Sequence, residues 1–157
     1  METIFDAKDL RRSGYYKWYA PEDLYKEILT KLKIDFDEAK NKTEILVIDN
    51  ETFYGIYIGI AEGQPVIRRI GNHLYNSFYS STLRKSIAAV LETTNHDEVN
   101  EFMDKLKVQF FFDVSENLHE KERELLQNHF FVLNIQGNSK WADKITFLKD
   151  QRRNLFR

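Results

Sequence analysis

The chain reads as an α/β (α+β) domain: a small, mostly antiparallel β-sheet of three or more strands, flanked by helices. Three observations predict this. Two runs rich in β-branched and aromatic residues, Thr43 to Ile48 and Thr52 to Ala61, are separated by the turn-forming Asp49-Asn50-Glu51, which is the pattern of a hairpin. Around them lie segments whose apolar residues recur at helical spacing. Finally, 157 residues with 42% hydrophobic and 14% aromatic content and two prolines suit one ordered domain spanning 1–157, because disordered chains are poor in apolar and aromatic side chains.

In chain order, Gly14 to Tyr19 is a short aromatic strand stopped by Pro21. Pro21-Glu22-Asp23 opens a helix to about Lys33 on Leu24, Ile28 and Leu32, since proline suits the first helical turn. The hairpin follows. Gly63-Gln64-Pro65 then ends the sheet, which is expected to be mixed or antiparallel, and starts a helix carrying Arg69 and His73. Ser80 and Ser81 are N-cap candidates for Thr82 to Leu91, whose Leu83, Ile87, Val90 and Leu91 form a stripe at i, i+4, i+7 and i+8. Further on come a helix from about Asp97 to Lys105, a strand from Val108 to Val114, and a helix capped by Ser115-Glu116 that buries Leu118, Leu125 and Leu126. Asn134, Gly137, Asn138 and Ser139 form a loop, and Trp141 to Arg152 is a terminal helix.

Composition narrows the function. A net charge of -2 and a pI near 6.1 do not mark a nucleic-acid binder overall, so any such role needs a local basic surface. Without cysteine, disulfides, thiolate zinc sites and thiol nucleophiles are excluded. No apolar run is long enough to span a bilayer, and the N-terminus lacks a signal-like core, so a cytoplasmic protein is expected.

The polar residues that carry chemistry are spread along the chain in a fixed order. Tyr57-Ile58-Gly59 lies in the second hairpin strand. Arg69 comes ten residues after Gly59, and His73 one helical turn after Arg69, on the same helix face. Glu122-Arg123-Glu124-Leu125-Leu126 precedes Leu133-Asn134, with twelve residues from Glu122 to Asn134. Together with the segment from Tyr54 to Leu91, this order resembles the GIY-YIG endonuclease family. There a Tyr-Ile-Gly strand is followed by an arginine on the next helix and later by a glutamate helix and an asparagine. The family's first motif would fall on Ile45-Leu46-Val47, which has no phenol, or on Gly14-Tyr15-Tyr16. The second choice resembles members with an insertion between the motifs, here at about residues 20–50, and is the one preferred.

The resemblance implies a divalent-metal-dependent DNA endonuclease. Glu122 would bind Mg²⁺ (or Mn²⁺), since one carboxylate with phosphate oxygens and waters suits that ion. Arg69 would hold the scissile phosphate, and Tyr57 or Tyr16 would take the proton of the attacking water. A phenol needs nearby positive charge to act as a base near neutrality; Arg69, His73 and Lys17 are the candidates. His73 would share the proton transfer or hold a phosphate, and Asn134 would position the glutamate helix or the metal's waters. Ser81, Arg84 and Lys17 are further phosphate candidates, although Ser81 taken alone reads as a helix cap. Specificity would come from the insertion, the segment 92–114, the terminal helix or a protein partner.

Each residue taken alone has a plainer role: strand aromatics, solvated helix charges, a loop asparagine. His119 with Glu116, Glu120 and Glu124 reads as a solvated helix face rather than a metal cluster. The alternative function is a catalytically idle module that binds DNA or a protein partner.

Overall fold

A computed structural model of the chain describes residues 12–62, 64–112, 117–135 and 138–156. Its centre is a four-stranded sheet in the order β2-β3-β1-β4, formed by β1 (Gly14–Pro21), β2 (Ile45–Ile48), β3 (Glu51–Ala61) and β4 (Lys107–Phe112), antiparallel at every pairing. The helices are α1 (Glu22–Lys31), α2 (Phe36–Lys40), α3 (Val66–Asn72), α4 (Thr82–Leu91), α5 (His96–Met103), α6 (Leu118–Asn128) and α7 (Thr146–Leu155), with a 3₁₀ segment at Ser139–Ile145. The α/β class is thus as expected, with strands all antiparallel. No helix among the described residues is long and apolar enough to cross a membrane.

The hairpin turn is tighter than the sequence suggests. Asp49 and Asn50 both adopt positive φ, 50° and 64°, as a two-residue turn matching the strand twist requires. Glu51 therefore pairs with Ile48 inside the ladder. At the other end β2 begins at Ile45, because buried Thr43 is withdrawn from the strand: its hydroxyl donates to the Ala39 carbonyl at 2.9 Å and contacts the Tyr25 hydroxyl at 2.8 Å.

The helices follow their stripes with shifted ends. Pro21 closes β1 and stands at the N-cap of α1, which buries Leu24, Tyr25, Ile28 and Leu29 and stops at Lys31. The cap of α4 is Ser81 rather than Ser80, with its Oγ accepting the Arg84 N–H. For α5 the cap is Asn95. The expected cap Ser115-Glu116, like Val114, Gly63 and Gly137, lies outside the described residues; Asn117 caps α6, accepting from His119 and Glu120. The expected single terminal helix is broken instead. Trp141 takes non-helical angles, and its indole N–H reaches the Leu126 carbonyl at 3.0 Å. Burying that ring outweighs helical continuity, which a 3.6-residue period does not reveal.

The sheet has two unlike faces. Tyr16 and Trp18 of β1 pair across to Gly59 and Tyr57 of β3 and share one face, whereas Tyr15, Lys17 and Tyr19 turn to the other. On that second face α6 packs Leu125 and Leu126 against Ile58, Phe131 and Tyr15. The first face carries the main core, and α3, α4 and α7 gather around it.

Candidate active site

The strand register sets the first two phenols side by side. Tyr16 stands directly across from Gly59, and a Cβ there would fall inside the Tyr16 hydroxyl and ring. Glycine is required at that point so that the ring can lie flat over the neighbouring backbone. Tyr57, two residues earlier on the same face, bonds the Thr82 hydroxyl at 2.5 Å at the start of α4.

Between these phenols sits His73, at the C-cap of α3 with helical angles, so its one-turn relation to Arg69 holds although α3 ends at Asn72. The imidazole is fully buried among the rings of Tyr16, Tyr57 and Trp18, at centroid distances of 5.4, 5.7 and 6.1 Å. Its Nε2 lies 2.5 Å from the Tyr16 hydroxyl and its Nδ1 2.5 Å from Ser81 Oγ. Burial, then Arg69 and Arg84, push its pKa down to about 3, so the ring is neutral. A neutral ring has one donor and one acceptor nitrogen. Either the phenol donates to Nε2 while Nδ1–H donates to Ser81, or both senses reverse.

Around this dyad are charges that have not paired. Arg69 donates to the Ser80 carbonyl at 3.0 Å, and its charge acts on the Tyr16 phenol. Glu122, on α6 one turn before the buried Leu125 and Leu126, lines a cleft of about 230 Å³ with Tyr57, Ile58, Thr82, Leu133, Asn134, Ile135 and Arg152. At about 30 Å³ per water, this holds a phosphodiester group with a few waters. Among the described residues none of Arg69, Glu122 and Arg152 forms an ion pair. Burial raises the Glu122 pKa and lowers that of Arg152, as expected for desolvated charges without a partner. Burial likewise raises Tyr16 and Tyr57; Arg69 opposes this at both phenols, and Glu122 adds to it.

Asn134 has a definite structural task. The last residue of β3 that β2 covers on that edge is Tyr54, opposite Ile45, so the outward N–H and C=O of Ile58 would lack partners. The Asn134 side chain supplies both: Oδ1 accepts the Ile58 N–H at 2.8 Å and Nδ2 donates to its carbonyl at 2.9 Å. It thereby holds Tyr57-Ile58-Gly59 in place, instead of bracing the glutamate helix.

Tyr16, Tyr57, Arg69, His73, Glu122 and Asn134 are thus brought together. Three other candidates are placed differently. Lys17 turns to the opposite face and pairs with Glu44 at 2.6 Å, so it does not stand with the phenols. Ser81, 1% exposed, caps α4 and supports His73. Arg84 is fully buried, donating to the His73 carbonyl at 3.2 Å and contacting His96 Nδ1 at 3.1 Å. Neither of these two is open to a phosphate. His119, on the exposed face, pairs with Glu62 at 3.1 Å, and no metal-holding group of three or more His, Asp or Glu occurs among the described residues. Sequence reasoning did not single out Thr82 or Arg152. Thr82 was legible as the residue after a cap; Arg152 carried no signal, because only tertiary packing brings α7 to the cleft.

The family model for the GIY-YIG catalytic domain matches residues 14–154. Neither the curated proteins nor the solved structures contain a match to the chain.

Proposed function

The chain belongs to the GIY-YIG catalytic domain family, and on that premise we propose that it is a divalent-metal-dependent DNA endonuclease hydrolysing phosphodiester bonds in this cleft. The observation that carries the proposal is convergence. Two strands and two helices, with the residues that flank them, bring two phenols, a guanidinium, an imidazole and a carboxylate to one place, and the two charged groups among them remain unpaired. A purely structural cluster would have neutralised them, since buried charges are costly without partners.

Gly14-Tyr15-Tyr16 serves as the first motif, with α1 and α2 filling the insertion before β2. Arg69 takes the scissile phosphate through its planar fork. Because the charge of Arg69 is felt at the Tyr16 phenol, a phosphate on Arg69 is brought to the side of the site that holds that hydroxyl. Tyr16 accepts a proton from the attacking water as its own phenolic proton passes to His73 Nε2, 2.5 Å away. The water oxygen bonds phosphorus, the P–O bond to the leaving oxygen breaks, and solvent protonates that oxygen. In the free protein this relay is held back by burial of the imidazole first and by Arg69 second; a phosphate on Arg69 offsets the second of these. Tyr57, tied to Thr82, shapes the wall that faces Glu122.

Glu122 fits a divalent cation by its chemistry: it is a half-buried carboxylate with no ion-pair partner among the described residues, lining a cleft with room for water. A single carboxylate suits Mg²⁺ or Mn²⁺, which retain several waters and add phosphate oxygens. Such an ion would supply charge stabilisation at the phosphate.

The test is nicking of supercoiled plasmid at low salt by the purified chain, with Mg²⁺ or Mn²⁺ and then with chelator. Metal-dependent cutting that is lost in Arg69→Ala and in Tyr16→Phe is expected. DNA binding by a folded protein without any cutting would instead establish the idle module.

A further inference from the structure

Arg152 presents an uncompensated guanidinium to the cleft. It lies in the last turn of α7, and among the described residues its side chain makes one hydrogen bond, a long 3.4 Å contact from Nη1 to Ser86 Oγ, a hydroxyl already engaged in donating to the Leu133 carbonyl at 2.9 Å. Within those residues five N–H donors are therefore met by one weak acceptor. The next residue behaves as a surface arginine should: Arg153 is exposed and pairs with Asp150 at 3.8 Å. Glu122 lines the same cleft as Arg152, yet no ion pair joins them.

The position also differs from that of Arg69. Arg69 acts electrostatically on Tyr16, Tyr57 and His73, whereas Arg152 acts on Tyr57 alone among these three. Arg152 lines the cleft beside Glu122, whereas Arg69 is not among the residues that line it, so the two guanidinium groups stand at different places around the phenols.

We propose that Arg152 is a second phosphate-binding residue, which holds a backbone phosphate of the nucleic-acid strand other than the one seated on Arg69. This rests on the nuclease reading for the identity of the ligand, while the anion seat itself stands on the geometry of Arg152. The substrate class is accordingly a polynucleotide strand with at least two phosphates in the cleft, and α7 takes part in gripping it.

Binding and cutting of a labelled DNA duplex by the full chain, compared with Arg152→Gln and Arg152→Lys across a salt series, test the proposal. Arg152→Gln leaves one backbone phosphate without its cation, which flattens the slope of log affinity against log salt by about 0.9 and raises KM about tenfold, with kcat changed far less. Arg152→Lys keeps the charge and so keeps the slope. A parallel measurement titrates the ¹⁵N-labelled chain with inorganic pyrophosphate and follows the arginine Nε–Hε signal that disappears in Arg152→Gln. Movement of that signal supports the seat even if the protein cuts no DNA, in which case the nuclease reading alone falls. If the protein cuts DNA but the salt slope is unchanged in Arg152→Gln and the signal stays still, the inference about Arg152 is overturned and the nuclease reading survives.

Discussion

Tyr16 and Lys17 are adjacent in β1, yet their side chains enter opposite kinds of environment. On the Lys17 face the charges around Glu44 are matched. Lys17 Nζ binds Glu44 at 2.6 Å, Glu44 also meets His129 at 3.2 Å, and Tyr19 donates to Gln109 at 3.0 Å. Around the Tyr16 phenol and the β3 edge beside Tyr57, Arg69, Glu122 and Arg152 stand near two phenols and a buried imidazole without pairing. The first arrangement is a closed network whose effect is on stability. The second is costly in the free protein, and it makes sense only if something that arrives later completes it.

The largest expected difference between the faces is in rate. Arg69→Gln should lower single-turnover cutting by about 10²–10³, the scale of losing a donor to developing charge, while the melting temperature holds. On the paired face the effect should move to stability. Lys17→Met leaves the half-buried Glu44 with His129 alone as an ion-pair partner and should cost about 1–3 kcal/mol in urea unfolding, with cutting by the folded fraction unchanged. Equal losses of rate from both substitutions would erase the distinction between the faces.

Gly59→Ala should affect both properties, because its Cβ would collide with the Tyr16 ring. A stability loss of about 1–3 kcal/mol from overpacking is expected together with slower cutting, and Gly71→Ala, which meets no neighbour, serves as the control. A further effect, confined to acid pH, is in the pH dependence of stability. His73 is held neutral with its pKa lowered from 6.5 to about 3, so the unfolded chain binds a proton that the fold refuses between those values. The stabilisation is complete above about pH 6.5 and is lost as pH falls towards 3. Urea titrations of His73→Gln should show a flatter decline over that window.

The order Tyr57, Arg69, Glu122 and Asn134 was legible because these residues are fixed to elements whose spacing the sequence shows. The hairpin and the Ser81 cap were legible for local reasons: turn chemistry and a hydroxyl before an apolar stripe. Strand alternation alone would have set Lys17 apart from Tyr16, since neighbours in a strand face opposite ways. What stayed hidden depends on packing between distant segments. Ser86 and Arg152 meet across 66 residues, and Tyr16 reaches His73 across 57. The break at Trp141 was hidden for the same reason, as its partner is a carbonyl at the end of α6.

The most direct test compares two carboxylates, one from the cleft and one from the Lys17 network, in a single set of assays with Mg²⁺: Glu122→Gln and Glu44→Gln, each followed for plasmid nicking and for melting temperature. Burial raises the Glu122 pKa, so its charge costs stability at neutral pH. The account predicts that Glu122→Gln abolishes nicking while the melting temperature holds or rises, and that Glu44→Gln melts earlier yet still nicks. Nicking that survives Glu122→Gln, or a loss of nicking confined to Glu44→Gln, would contradict it.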